Sequence, residues 1–148
     1  MEIQFRQGEL SPAEQEDISS GFERHSSNQA APPFLKSRVN WLVFGERGQV
    51  VAALTGDVLW DWLYIDELWV DESLRGTGLG KKLMQQGEDY ARSRGFSGMW
   101  LWTQSWQAEE FYLGLGFQEF TRFPNFPKGY SRIGLRKEFS AGTSLYAL

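Results

Sequence analysis

The sequence predicts an α/β fold: a mixed, splayed β-sheet built around one parallel strand–helix–strand crossover. Three observations predict it. An apolar run at 62–70, WLYIDELWV, leads through a glycine loop into an amphipathic helix and then into a second apolar run, FSGMWLWTQ at 96–104. A crossover of that kind between strands of one sheet is right-handed and parallel. Before it, residues 38–60 carry strand character broken by Arg47-Gly48, which reads as an antiparallel hairpin. The chain of 148 residues, 41% of them hydrophobic, is long enough for one domain with a real core.

Taken in order, residues 2–6 read as a short first strand. Ser11-Pro12-Ala13-Glu14 is a helix start, with Ser11 as N-cap, Pro12 at the first helical position and Glu14 reaching back. Ile18 and Phe22 give that helix a narrow apolar face. SSNQAAPP ends it, and 19–33 is the least determined stretch, either a plain surface loop or a cover over a site. Asp61 marks the reversal between the hairpin and WLYIDELWV. The apolar character of that third strand predicts burial on both faces and a central position. Asp66 and Glu67 interrupt it, and a buried carboxylate needs a partner or a cleft.

The helix from Gly78 to Arg94 turns Leu79, Leu83, Gly87, Tyr90 and Ala91 to one side. Lys81, Lys82, Gln85, Glu88 and Arg92 point away. Gly95 stops it. After the next strand a short helix is expected, capped by Ser105 or a neighbour and left at Gly116. Two last strands, 116–122 and 130–138, flank the Pro-rich FPNFPKG. The expected domain is 1–139, with 140–148 as a C-terminal tail.

Composition removes several function classes. With no cysteine there is no disulfide, no thiolate metal site and no cysteine acyl-enzyme, which fits a reducing, cytoplasmic setting. The single histidine, His25, cannot build a multi-histidine metal site, and it reads as a polar residue near a helix end. No signal peptide or membrane-length apolar run is visible. A net charge of −4 argues against non-specific nucleic-acid binding and is compatible with a cationic amine substrate. Most of the aromatic residues are expected in the core. Trp41, Trp60, Trp62 and Phe34 are candidates for a pocket wall.

The chemistry centres on RGTGLG, residues 75–80. Closely spaced glycines at a helix N-terminus leave backbone N–H groups uncovered where the dipole favours an anion. Three phosphate motifs compete for it. The nucleotide P-loop fails, because Arg75 and Lys82 stand at its two defining ends. The dinucleotide GxGxxG fails at Lys81. The pattern Q/R-x-x-G-x-G/A is met by Arg75, Gly78 and Gly80.

With that loop in YIDELWVDESLRGTGLGKKL, and with SWQAEEFYLGLGF about thirty residues on, the chain resembles the GNAT superfamily of acyl-CoA-dependent N-acetyltransferases. The likeness runs from about Ile3 to Phe139 and implies a single-domain GNAT fold. The closing PNFPKGYSRIGLRKEF also resembles a group of small bacterial members.

The resemblance implies direct transfer from acetyl-CoA to an amine in a ternary complex, with no metal. Amides of Gly76, Thr77, Gly78, Leu79 and Gly80 would hold the pyrophosphate, with Arg75 placing the loop. Leu68, Trp69 and Val70 would pair with the pantetheine arm as an added strand. An amide at or beside Leu68 would polarise the thioester oxygen, a contribution of roughly 10²–10³ in rate. Tyr112 matches the position that often protonates the departing thiolate, although a thiol of pKa about 8.5 needs only modest help. Ser105 stands where many members carry a cofactor-contacting asparagine.

The resemblance also draws the base from the positions of Tyr64 and Asp66. Plain alternation puts Tyr64, Asp66, Leu68 and Val70 on one face, with Ile65, Glu67 and Trp69 on the other. That favours Asp66 over Glu67, and a strand bulge would reverse the parity. The expected partner is a small-molecule or peptide amine; no nucleic acid or membrane partner is expected. The late strands leave room for a homodimer. A non-catalytic acyl-CoA-binding module is the alternative, and the acceptor is not named by any motif.

Overall fold

The computed structural model describes residues 1–140. The chain divides into a first compact unit, Met1–Phe34, and a second that begins at Leu35. In the first unit, helix α1 (Pro12–Asn28) starts as its sequence predicts. Ser11 Oγ accepts from the Glu14 amide at 3.2 Å, and Glu14 Oε2 accepts from the Ser11 amide at 2.8 Å. The expected strand at 2–6 does not form, and these residues carry no ladder partner. A lone strand has no stability without a neighbour to hydrogen-bond. The helix also runs on through most of the stretch expected to be irregular, with His25 in its last turn.

Among its described residues the second unit holds six strands: β1 (Lys36–Phe44), β2 (Val50–Leu59), β3 (Trp62–Val70), β4 (Gly98–Gln104), β5 (Gln118–Pro124) and β6 (Ser131–Glu138). Helix α2 (Leu79–Ser93) links β3 to β4, and the short α3 (Glu109–Gly114) precedes β5. Their order across the sheet is β1-β2-β3-β4-β6-β5. Only β3 and β4 run parallel; β1–β2, β2–β3, β4–β6 and β5–β6 are antiparallel. The predicted class, the hairpin and the parallel crossover are all present.

The core lies between the sheet and α2. Leu54, Leu63, Met99, Leu101, Ile133 and Leu135 are fully buried, and α2 adds Leu83, Met84 and Ala91. Each such leucine, isoleucine or methionine contributes roughly 1.5–3 kcal/mol on leaving water. Helix and sheet approach closely at Gly87, where a Cβ would lie 2.9 Å from Leu54 Cδ2. Trp41 also belongs to this side, edge-on to Tyr90 of α2. Glu88 departs from its expected outward position: Lys137 Nζ donates to its Oε2 at 2.8 Å, and Arg92 takes the other oxygen.

Two features of β3 prepare the site. Its pairing with β4 covers only Trp62–Ile65 against Gly98–Leu101. Beyond Ile65 and Leu101 the strands part, and one edge of residues 66–70 loses its ladder. The second feature is a bulge. Against β2, Thr55 pairs with Glu67 and Gly56 pairs with Ile65, which leaves Asp66 as an extra residue. The Tyr64 carbonyl presses on Gly56, where a Cβ would lie 2.3 Å from its oxygen. Only glycine fits there.

Candidate active site

The bulge corrects the expected faces of β3. Leu63 and Ile65 pair with Val58 and Gly56 on the α2 side, and Leu68 and Val70 pair with Leu54 and Ala52 on that same side. Tyr64, Asp66, Glu67 and Trp69 therefore share the opposite face. The single inserted residue places the two acids side by side, where strict alternation separates them. Central position is confirmed for β3, but burial on both faces is not: Leu63 and Ile65 are buried, and Asp66, Glu67 and Trp69 are exposed.

The two acids differ in what holds them. Arg38 Nη1 donates to Asp66 Oδ2 at 2.7 Å, and Thr55 Oγ1 donates to Oδ1 at 2.6 Å. Partial burial pushes the Asp66 carboxyl up, but those hydrogen bonds and the Arg38 charge outweigh it and hold the group below its ordinary value. Asp66 is thus a committed carboxylate that ties β1, β2 and β3 together. Glu67 has no hydrogen-bond or ion-pair partner among the described residues. On the same face, Tyr64 lies against Trp100, ring centroids 4.4 Å apart. Burial pushes the Tyr64 phenol up, and the positive charge of Arg132 partly offsets it.

A cleft of about 440 Å³ opens where β3 leaves β4. Of the predicted cofactor residues, Leu68, Trp69 and Val70 form one wall, and Arg75, Gly76, Gly78, Leu79 and Gly80 form the floor. Tyr112 closes the cleft from α3, with Ala108 and Phe111 beside it. The loop is built from local bonds. Asp71 accepts from Ser73, Arg75 Nε donates to the Val70 carbonyl at 3.2 Å, and Thr77 Oγ1 donates to the Leu74 carbonyl at 2.6 Å. Gly76 and Gly78 have φ of 76° and 82°, backbone that a side chain rarely adopts.

The loop's amides fit an anion. Gly78 is the N-cap of α2 and offers no side-chain cap, and the first backbone bond into the helix is from Lys82 to Gly78. Amides 76–81 therefore have no backbone acceptor among the described residues. A Cβ at Gly76 or Gly78 would meet nothing within 4 Å, so the space over the loop is open. At Gly80 a Cβ would lie 3.7 Å from Phe111 and 3.8 Å from Val70, which marks the narrow part of the cleft. These residues suit a pyrophosphate with an extended arm running along the free edge of β3.

Asp66 and Glu67 are not part of the cleft lining, and two of the predicted cofactor residues also stand apart from it. Thr77 is turned to Leu74 as described. Ser105 exchanges bonds with Ser131: its amide donates to the Ser131 carbonyl at 2.8 Å, and its Oγ accepts from the Ser131 amide at 3.0 Å. Nor does Ser105 cap α3, whose N-cap is Ala108 with no side-chain bond. Conversely, Lys81 lines the cleft although its helical position suggested an outward solvent role. The doubled lysine after the last glycine was the signal for it. Tyr112 packs edge-on against Phe111 and Phe117. Burial pushes its phenol up, so it stays protonated. Of the suggested pocket-wall aromatics, Trp62 joins Trp100, Phe120 and Arg136 around a second hollow, while Trp41 is core. Trp60 sits in the β2–β3 turn with φ of 52°, and Phe34 belongs to the first unit. No three His, Cys, Asp or Glu side chains gather as a metal site among the described residues.

A mixed sheet thus parts beside a glycine-started helix whose first amides have no backbone acceptor among the described residues. The family comparison makes this specific: residues 6–117 match the model of the acetyltransferase (GNAT) family, and the chain belongs to that family. It is 40% identical to a blasticidin-S acetyltransferase of Streptomyces morookaense over 95 residues, covering 64% of this chain and 70% of that protein. An acetyltransferase of Agrobacterium fabrum is 31% identical over 104 residues, covering 70% of this chain and 76% of that one. The crystal structure of an acetyltransferase from Bacillus cereus superposes with a TM-score of 0.76 at 29% identity, over 91% of this chain and 98% of that chain.

Proposed function

We propose that this chain is an N-acetyltransferase that moves an acetyl group from acetyl-CoA to a primary amine by direct attack in a ternary complex. The observation that carries the reading is the parted β3–β4 edge, bordered on one side by unbonded loop amides and on the other by Glu67. When bound, the coenzyme supplies an activated acetyl thioester. Amides 76–80 and the Lys81 ammonium hold its phosphates, and the unpaired edge of 68–70 orients its arm. An amide at or beside Leu68 stabilises negative charge on the thioester oxygen.

Glu67 is the base in this reading, taking the amine proton directly or through water. Asp66 is a poor base because Arg38 and Thr55 stabilise its charged form. Its role is to keep the bulge in shape so that Glu67 faces the acceptor. Tyr112 donates its proton to the departing thiolate. The proposed domain spans 1–139 and works in the cytoplasm, and two copies could pair along β5, whose residues are all exposed. The relative named for blasticidin S supports a small-molecule acceptor over a peptide. Among the described residues no helix is long and apolar enough to cross a membrane.

Free-thiol release from acetyl-CoA over a panel of polyamines, amino acids, aminoglycosides and peptides tests the reading. Release that requires an amine supports it. A rise in melting temperature with acetyl-CoA but no release with any amine would instead indicate a binding module. No shift with any acyl-CoA would sink both.

A further inference from the structure

Beyond β3, an unpaired buried carbonyl and an arginine without an acid lie in register on neighbouring strands of the facing bank. Trp100, Trp102 and Gln104 of β4 alternate with the buried Met99, Leu101 and Thr103, so they share the face that carries Glu67. Gln104 pairs in register with Arg132 of β6 on that same face. Among the described residues Gln104 Oε1 is buried and accepts no hydrogen bond. Such an atom left unpaired forfeits the hydrogen bond it would make to water in the unfolded chain. Arg132 has no carboxylate partner among them either. Its guanidinium lies over the Trp102 ring at 4.9 Å, with the Phe126 ring at 6.0 Å. By contrast Arg38, Arg122 and Arg136 on the other strands each meet an acid.

We propose that Gln104 and Arg132 form a recognition subsite for the acceptor, and that the acceptor carries an N–H group and a carboxylate a few bonds apart, as an amino acid does. The inference rests on the transferase reading above and names its substrate class. Gln104 turns its carbonyl to the acceptor's N–H, which relieves the unpaired state of the free protein. Arg132 takes the carboxylate through charge-assisted bonds, strongest when bidentate. Trp102 keeps the guanidinium plane fixed, so little order is lost on binding. A plain diamine offers the first partner and not the second.

Matched pairs test this: each amino acid of the panel against the amine left by its decarboxylation, scored by kcat/KM in the thiol-release assay. The wild-type chain is expected to prefer the carboxylated member by about 10-fold or more. Arg132→Leu should bring that ratio near unity, and Arg132→Lys should restore part of it. Gln104→Met should raise KM for the carboxylated acceptor about fivefold or more, with the melting temperature unchanged or higher, because the orphaned atom is gone. Acetyl-CoA affinity by calorimetry should stay at the wild-type value in all three. Equal use of both members by the wild type, or a preference that survives Arg132→Leu, would overturn the subsite while leaving the transferase reading intact. Bound acetyl-CoA with no release from any amine would overturn the reading, and the subsite with it.

Discussion

The two sides of the β3–β4 opening are built from different materials. On the cleft side the proposed working groups are backbone amides, presented by glycines at the start of α2. On the proposed acceptor side they are side chains, and the direction of those on β3 depends on one extra residue. Backbone donors survive almost any change of neighbour, whereas a side-chain face is only as secure as the register that aims it. A glycine loop that binds phosphate is therefore portable, and an acceptor site is particular to its own sheet.

Gly78→Glu attacks the backbone side and should have the largest effect. It forces a side chain into a left-handed conformation and sets negative charge against the phosphates. Acetyl-CoA affinity should fall by about 100-fold or more. Micromolar binding retained in calorimetry would show that the loop is not the phosphate site.

Gly56→Ala attacks the register. The new Cβ meets a carbonyl that cannot rotate away, so urea unfolding should show a loss of about 3 kcal/mol. A loss below 1 kcal/mol would mean that the bulge relaxes without strain.

Glu67→Gln keeps the shape and removes the proposed base, and it should lower turnover by about 100-fold with acetyl-CoA affinity unchanged. If Asp66→Asn is the more damaging of the two in turnover at equal stability, the assignment of the base reverses. Tyr112→Phe should cost about 10-fold in turnover. Because burial raises the Tyr112 phenol, it should also put no falling limb in the pH–rate profile below about pH 10. A limb near neutrality that disappears in the Phe variant would contradict this.

The smallest effect concerns acid. Asp66 has a folded value below its unfolded one. Its contribution to stability is therefore present above an unfolded pKa of about 4 and is lost as pH falls through the folded value. Asp66→Asn should flatten the acid limb of the stability curve, read by melting temperature from pH 6 to 3. An acid limb of unchanged steepness would leave the carboxylate without that role.

The same division explains what was legible in the sequence. The strand–helix–strand core shows as period, because Leu63, Leu83, Met99 and Leu101 must face one another. The glycine loop shows as spacing, because Gly76 and Gly78 adopt a backbone that favours glycine. Asp66 and Glu67 were visible as acids out of place, but their direction was not, since the bulge depends on a carbonyl of β3 meeting Gly56 across the ladder. That contact is long-range, and alternation along one strand carries no trace of it. The 2–6 segment failed for a related reason: its apolar residues suit a strand, and no ladder partner is paired with them. Ser105 misled because a hydroxyl before a helix usually caps it, and here a backbone exchange with Ser131 held it instead.

The contact between Gly56 and the Tyr64 carbonyl acts as a phase slip in a two-beat pattern. Upstream of it, the beat that faces α2 falls on odd-numbered positions of β3; downstream it falls on even-numbered ones. The core keeps its own rhythm on both sides of the slip, and the opposite face receives two consecutive beats in one place. Anyone grafting a new acceptor preference onto this sheet should therefore move 55–56 and 64–67 as one block. Transplanting the acids without their glycine would restore the even count and turn one of them inward.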